Sequence, residues 1–326
     1  MAASRTPLIA LGEVRTCLVP ASAALHRAEA SELLALVPGR RVRWRERPSS
    51  LAISPTTAVG VDCELVLPGQ EPARVVGTVA EYAVVTGGRI LQASTVTRVL
   101  RATERRRQTW SHYLSRVGVT EAVSKLGERE TATDNLADGY LDGAPTPDTL
   151  DLASIGERLL GRLRSDPSLD QKAPIQAATT RLRWTARIGG AAGPRLALRL
   201  DDETTRSTRL IVREEADLAA AQRFCEDLAA HDWLLTITDA AIEEADRFPT
   251  SSRDQMEILA PVLEHLAHLW MPGAHTPPAL RGLWKDLQAD PGFSRQWTAR
   301  VGQLRDRISV AQWEDLRRTR IGRTDW

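Results

Sequence analysis

Three of the chain's six histidines fall in EHLAHLWMPGAH, Glu264 to His275, and imidazoles so closely spaced raise the chemistry of a metal site. A helical zinc site of the H-E-x-x-H kind sets two histidines at i and i+4 and takes a further ligand from elsewhere. Here His265 and His268 stand at i and i+3, and Glu264 precedes both. At about 100° per residue the apolar face runs through Leu259, Val262, Leu263, Leu266 and Trp270, so His265 borders it and His268 points nearly opposite. His275 follows Pro272 and Gly273, which end the helix. The pattern predicts a structural helix end with Trp270 and Met271 packed inward. It leaves His265, His268 and His275, with His231-Asp232, as the ligands of an alternative reading, a metal-dependent hydrolase.

The dipeptide His231-Asp232 invites comparison with HD-type phosphohydrolases, but no second histidine lies at a recognisable spacing on a neighbouring helix. Nucleophile patterns are also incomplete. There is no G-x-S-x-G elbow, and Cys225 and His231 are six apart on a predicted helix, hence on different faces. No lysine follows a G-x-x-x-x-G pattern, which excludes a P-loop. The expectation is no catalytic constellation, no cofactor and no metal.

Arginines give the strongest remaining signal. In RRVRWRER, strand alternation puts Arg41, Arg43, Arg45 and Arg47 on one face and Val42 and Trp44 on the other. RLRWTARI repeats the pattern, with Arg181, Arg183 and Arg187 opposite Leu182, Trp184 and Ile188. Same-face neighbours stand roughly 7 Å apart, near the phosphate repeat of an extended nucleic-acid strand. Arg105, Arg106 and Arg107 beside Trp110 and Tyr113 would extend such a polyanion-binding face. The competing expectation is a set of solvated sheet faces paired with acids such as Asp201, Asp202 and Glu203. The near-balanced charge, formally +1, favours it.

The elements that would carry these residues follow from periodicity. Pro7 to Pro20 is an apolar run, Ala21 to Leu36 has helical spacing closed by Pro38 and Gly39, and Arg74 to Val85 and Arg89 to Leu100 form a hairpin around Thr86-Gly87-Gly88. Arg181 to Ile188, Arg195 to Leu200 and Thr208 to Arg213 suggest an antiparallel meander. A helix from Asp217 to about Asp246 follows, and a second from about Ser252 to Trp270 should bend or break at Pro261. The fold class is α+β: an N-terminal β-rich domain with one helix, then a meander followed by a C-terminal helical region. Its divisions are 1–120, basic and β-rich; 121–178, an acidic, Pro- and Gly-containing helical linker; and 179–326, the meander with Trp-rich helices.

With 326 residues, 42% of them hydrophobic, the chain can bury ordinary cores. No apolar run approaches the roughly 18 residues of a membrane helix, and the start lacks a secretory pattern, so a cytoplasmic location is expected. Cys17, Cys63 and Cys225 are odd in number and never closely paired, which encodes neither a disulfide framework nor a zinc ribbon. Only Lys125, Lys172 and Lys285 among the 43 basic residues are lysine, a bias that points to a GC-rich, actinobacterial genome. Arginine therefore fills ordinary surface positions, which weakens any single cluster as evidence of ligand binding.

Several segments taken together, GTVAEYAVVTGGRIL (77–91), RRRQTWSHYLSR (105–116), CEDLAAHDWLL (225–235), HLWMPGA (268–274) and PGFSRQW (291–297), resemble a family of conserved actinobacterial proteins of about this length, described from Streptomyces. The resemblance spans nearly the whole chain. It implies a gene neighbourhood with a variant P-loop protein, and it carries over no catalytic residue. The expected role is a non-catalytic adaptor or scaffold component of a multi-protein system, binding partner proteins such as a P-loop NTPase. Five of nine tryptophans, Trp270, Trp284, Trp297, Trp313 and Trp326, lie in the last 57 residues, and Trp284, Trp297 and Trp313 are the expected partner surface. Polyanion or nucleic-acid binding is the alternative.

Overall fold

Gly87 and Gly88, both at positive φ, make the tight turn that the sequence marks between two β-rich runs. A Cβ on Gly88 would meet the Leu25 backbone at 2.4 Å, so this hairpin end also packs against the preceding loop. The computed structural model describes residues 6–104, 106–143, 146–189, 193–247 and 251–321; Arg105 and Trp326 lie outside them. In chain order the elements are β1 (Ile9–Leu18), α1 (Arg27–Leu33), β2 (Arg43–Arg45), β3 (Leu51–Ile53), β4 (Thr57–Leu65), β5 (Ala73–Thr86), β6 (Ile90–Arg101), α2 (Trp110–Leu114), β7 (Val119–Ala122), α3 (Arg129–Asp142) and α4 (Leu152–Arg164). Then come β8 (Thr180–Ile188), β9 (Arg195–Leu200), β10 (Thr205–Val212), α5 (Asp217–Arg247), α6 (Ser252–His265), α7 (Gly282–Ala289) and α8 (Phe293–Ile321). The class is α+β, and no helix among the described residues is long and apolar enough to cross a membrane.

One mixed sheet in the order β2-β3-β5-β7-β6-β1-β8-β10-β9 joins the segments that the sequence reading divided, with β4 added on β5. β1 lies inside it, antiparallel to β6 on one side and to β8 on the other. The boundary drawn near residue 178 is therefore crossed by strand pairing. Residues 121–178, expected as a linker, supply the end of β7 and two helices whose Leu136, Leu152, Leu159 and Leu160 enter the cores on one sheet face. The expected meander is also corrected: β10 is parallel to β8 and antiparallel to β9, so β10 takes the interior place. Burial explains the order. β10 is mostly buried, whereas β9 alternates between half-buried and exposed residues, as an edge strand must.

Even-numbered residues of the central strands face α5. Ala10 and Val14 of β1, Leu182, Trp184 and Ala186 of β8, and Leu210 and Val212 of β10 form one core with Leu218, Phe224, Leu228 and Trp233 of that helix. α5 is apolar nearly all round because α6, α7 and α8 cover its other side, which is the environment such a helix needs. It runs unbroken through His231. α6 likewise continues past Pro261 to His265, so of the bend or break expected there the break does not occur. Odd-numbered β1 residues Ile9, Leu11 and Cys17 face α3 and α4.

Candidate functional site

The histidines do not converge. His231 is buried, its Nδ1 donates to the Asp227 carbonyl at 2.7 Å, and its Nε2 accepts from the Met271 amide at 3.0 Å. Both ring nitrogens are thus used in the neutral form, and burial pushes the imidazole's pKa down against the pull of Asp227. The ring lies edge-on to Trp270 and Trp284. Asp232 points elsewhere, to Arg206 at 3.2 Å, and burial raises its carboxyl above the ordinary range despite that partner. His265 accepts from Arg89 at 3.4 Å and His268 is exposed. Among the described residues no group of three or more histidines, cysteines or acids could hold a metal, so the ligand set His265, His268 and His275 is corrected.

His275 instead meets a residue that no motif singled out. Its Nε2 lies 2.8 Å from Oγ of Ser49, across 226 positions of sequence. Ser49 sits in the loop between β2 and β3, and His275 in the segment between α6 and α7. Asp227, on α5, completes the wall of the same narrow pocket. Its Oδ2 accepts from Thr276 Oγ1 at 2.6 Å, and that hydroxyl accepts from Trp284 Nε1 at 2.8 Å. Asp227 Oδ1 and His275 Nδ1 are buried without a hydrogen-bond partner. Tyr82 donates to Glu226 on the same wall, and Arg223 binds the other Glu226 oxygen at 2.7 Å.

The two arginine strands have different fates. Arg181 pairs with buried Glu13 at 2.8 Å, Arg183 with Asp201 at 3.7 Å and Arg187 with Asp134 at 3.6 Å. Asp134, Asp138 and Asp142 recur every four residues on α3 and meet Arg187, Arg199 and Arg209, so this helix is a carboxylate stripe laid over β8 to β10. Arg181, Arg183 and Arg187 are corrected from a ligand face to a paired one. The first cluster is unlike it. β2 is only three residues long, and Arg41, Arg43, Arg45 and Arg47 are all exposed, with no ion pair among the described residues.

No family model, no curated protein and no solved structure matches the chain.

Arg40, Arg41 and Arg43 form one bank of a groove of about 1010 Å³, open to solvent, on the part of the sheet face that α5 leaves uncovered. Arg98 of β6 rises from its floor beside Ala10, Ala80 and Val96, and the start of α5 closes the other bank. Glu215 is an acid on that wall. Arg43 also borders a second pocket, with Arg45, Arg223, Arg281 and His275, so the basic surface continues around β2 toward Ser49. The sequence pattern pointed to Arg41, Arg43 and Arg45; Arg40 and Arg98 join them only through the fold.

Trp284 and Trp297 are corrected as partner residues, being only 6% and 8% exposed. Trp297 stacks on Trp270 with ring centroids 4.5 Å apart, and Trp284 packs edge-on to Phe224. Trp313 is 57% exposed, one turn from exposed Val310 and Leu316 on α8. The cysteines serve packing: burial pushes the Cys17 and Cys63 thiols up to about 12 and Cys225 higher than its ordinary value. We expect fewer than one thiol per chain to react with Ellman's reagent in the native protein at pH 8, and all three after denaturation; rapid native reaction at Cys63 would contradict this.

Proposed function

We propose that the protein binds a nucleic-acid strand by its phosphates along the groove between β2 and the start of α5. The observation that supports this reading is the grouping of Arg40, Arg41, Arg43 and Arg98 on one concave surface without carboxylate partners, while arginines of β8 to β10 are neutralised by α3. Exposed guanidinium groups with free donor forks suit phosphate oxygens, and Arg43 and Arg45 prolong the track. The groove contributes no exposed aromatic platform, since Tyr82 is buried, so binding is expected to be indifferent to sequence.

The test is fluorescence anisotropy with a 20-nucleotide single strand across a salt series. Four phosphate contacts give a slope of log affinity against log salt of about −3. Replacing Arg41 and Arg43 with glutamate is expected to weaken binding more than tenfold, while Arg199→Glu, in a paired cluster, changes it little. Equal loss in both, or a slope near zero, would refute the assignment.

The adaptor role expected from the sequence is a second proposal. What favours it is the exposed stripe Val310, Trp313 and Leu316 on α8, since adjacent apolar side chains in water mark contact surfaces. Its partner would be a protein such as a P-loop NTPase, and Trp313→Glu is expected to abolish that capture in a pull-down.

A further inference from the structure

We infer that Ser49 and His275, near the Asp227 carboxylate on the same pocket wall, form a hydrolytic site for carboxylic esters that carry an anionic group. A serine attacks a carbonyl only when a neighbouring base takes its proton, and the Ser49 Oγ to His275 Nε2 distance of 2.8 Å is a hydrogen bond of the required kind. For Nε2 to accept, the imidazole proton must sit on Nδ1. That nitrogen is buried without a hydrogen-bond partner, and Asp227, whose Oδ1 lies 3.4 Å from His231 Nδ1, lines the same pocket and acts on His275 through its charge. A buried imidazole N–H left unsatisfied is costly in a folded protein. A loop tether between Ser49 and His275 would not require it.

Asp227 acts on His275 through its charge rather than by contact. Its second oxygen is fixed by Thr276, itself held by Trp284, so the carboxylate stays in place when its charge is called on. The groups that act on His275 are Asp227, His231 and Arg223 from α5 and Arg45 from β2. Burial holds the imidazole's pKa below its ordinary value, while Asp227 pulls the other way. His275 is therefore a neutral base at pH 7. Arg43, Arg45 and Arg281 stand around the adjoining pocket that His275 also lines, which favours a negatively charged substrate; Arg223 there is already paired with Glu226.

In the reaction Ser49 Oγ bonds to the carbonyl carbon and its proton passes to His275 Nε2. The carbon–alkoxy bond then breaks, and the departing alcohol takes that proton. Water attacks the acyl-serine and gives a proton to Nε2. The carboxylic acid leaves as Oγ recovers its proton, so the only co-reactant is water.

The first experiment treats the full chain with a fluorophosphonate, in which Oγ–P forms as P–F breaks, and maps the adduct by peptide mass. The expected result is one adduct on Ser49, absent in Ser49→Ala and formed at least a hundredfold more slowly in His275→Gln, with circular dichroism unchanged in both. Asp227→Asn should slow labelling and move the midpoint of its acid limb to lower pH, because the carboxylate that supports imidazole protonation is gone; a merely structural change would leave that midpoint alone. No adduct on Ser49, or one whose rate ignores His275→Gln, would overturn the site and leave the pair as a tether. The substrate class is read from 4-nitrophenyl hemisuccinate against 4-nitrophenyl butyrate. A preference of tenfold or more for the charged ester, erased by Arg45→Gln, is expected, and equal turnover of the two would overturn the anionic assignment.

Discussion

Replacing Trp184 with alanine is expected to destabilise the protein by about 3–5 kcal/mol, the usual cost of removing a large aromatic from a closed core. Trp184 is fully buried and stands directly across from Gly12 in the β1–β8 ladder. A Cβ on Gly12 would lie 2.3 Å from the indole ring, so the ring occupies the space that glycine leaves empty. Leu182, Ala186, Leu210 and α5 enclose the rest. The site cannot collapse, because β1 and β8 are held by their hydrogen bonds and α5 by the helices above it. Chemical denaturation should show a lower midpoint with an unchanged slope. Gly12→Ala should destabilise from the opposite direction, by crowding, at about 1–3 kcal/mol or more. Near-native stability in Trp184→Ala would mean that this core can repack, against the geometry described.

Arg206→Met is expected to cost a similar amount at pH 7, about 3–5 kcal/mol, for a different reason. Arg206 and Asp232 form an ion pair whose side chains are 8% and 14% exposed, and Arg206 also donates to the Asp202 carbonyl at 2.6 Å. Without the guanidinium, Asp232 is a buried carboxylate with no counter-charge. Its pKa is already raised by burial with Arg206 present, and removing the arginine raises it further. A carboxyl whose folded pKa exceeds its unfolded value binds more protons in the folded state. Its contribution to stability is present at low pH and is lost as pH rises through the folded pKa. Arg206→Met should therefore regain stability between pH 7 and pH 5 relative to the parent, and adding Asp232→Asn should recover part of the loss at pH 7. A pH-independent deficit would assign the effect to lost packing of the arginine stem.

These two sites illustrate what the sequence made legible. Strand periodicity and the Thr86-Gly87-Gly88 turn located β1, β5, β6 and β8 because each is a local pattern read over a few residues. The place of β10 between β8 and β9 depends on which strand buries both faces, a property of neighbours absent from local spacing. The same limit applied to Pro261, where the tertiary packing of α6 on α5 and α8 outweighs the local penalty of a proline. The arginine pattern could be read, but whether it was free could not. That depended on Asp134, Asp138 and Asp142, whose four-residue period on α3 lies in the acidic 121–178 segment. Ser49 and Asp227 carried no signal, since their relation to His275 exists only once three distant segments meet.

The interior position of β1 also orders events during synthesis. Its residues leave the ribosome before either flanking strand exists, and pairing with β8 must await position 180 and beyond. Until then one edge of β1 remains open, with Gly12 waiting for an indole still to be made. Assembly of the central sheet is thus dominated by contacts distant along the chain, which slows folding and prolongs the interval in which an unpaired apolar edge can be captured by another chain. Chaperone dependence during expression would follow from the location of this one strand.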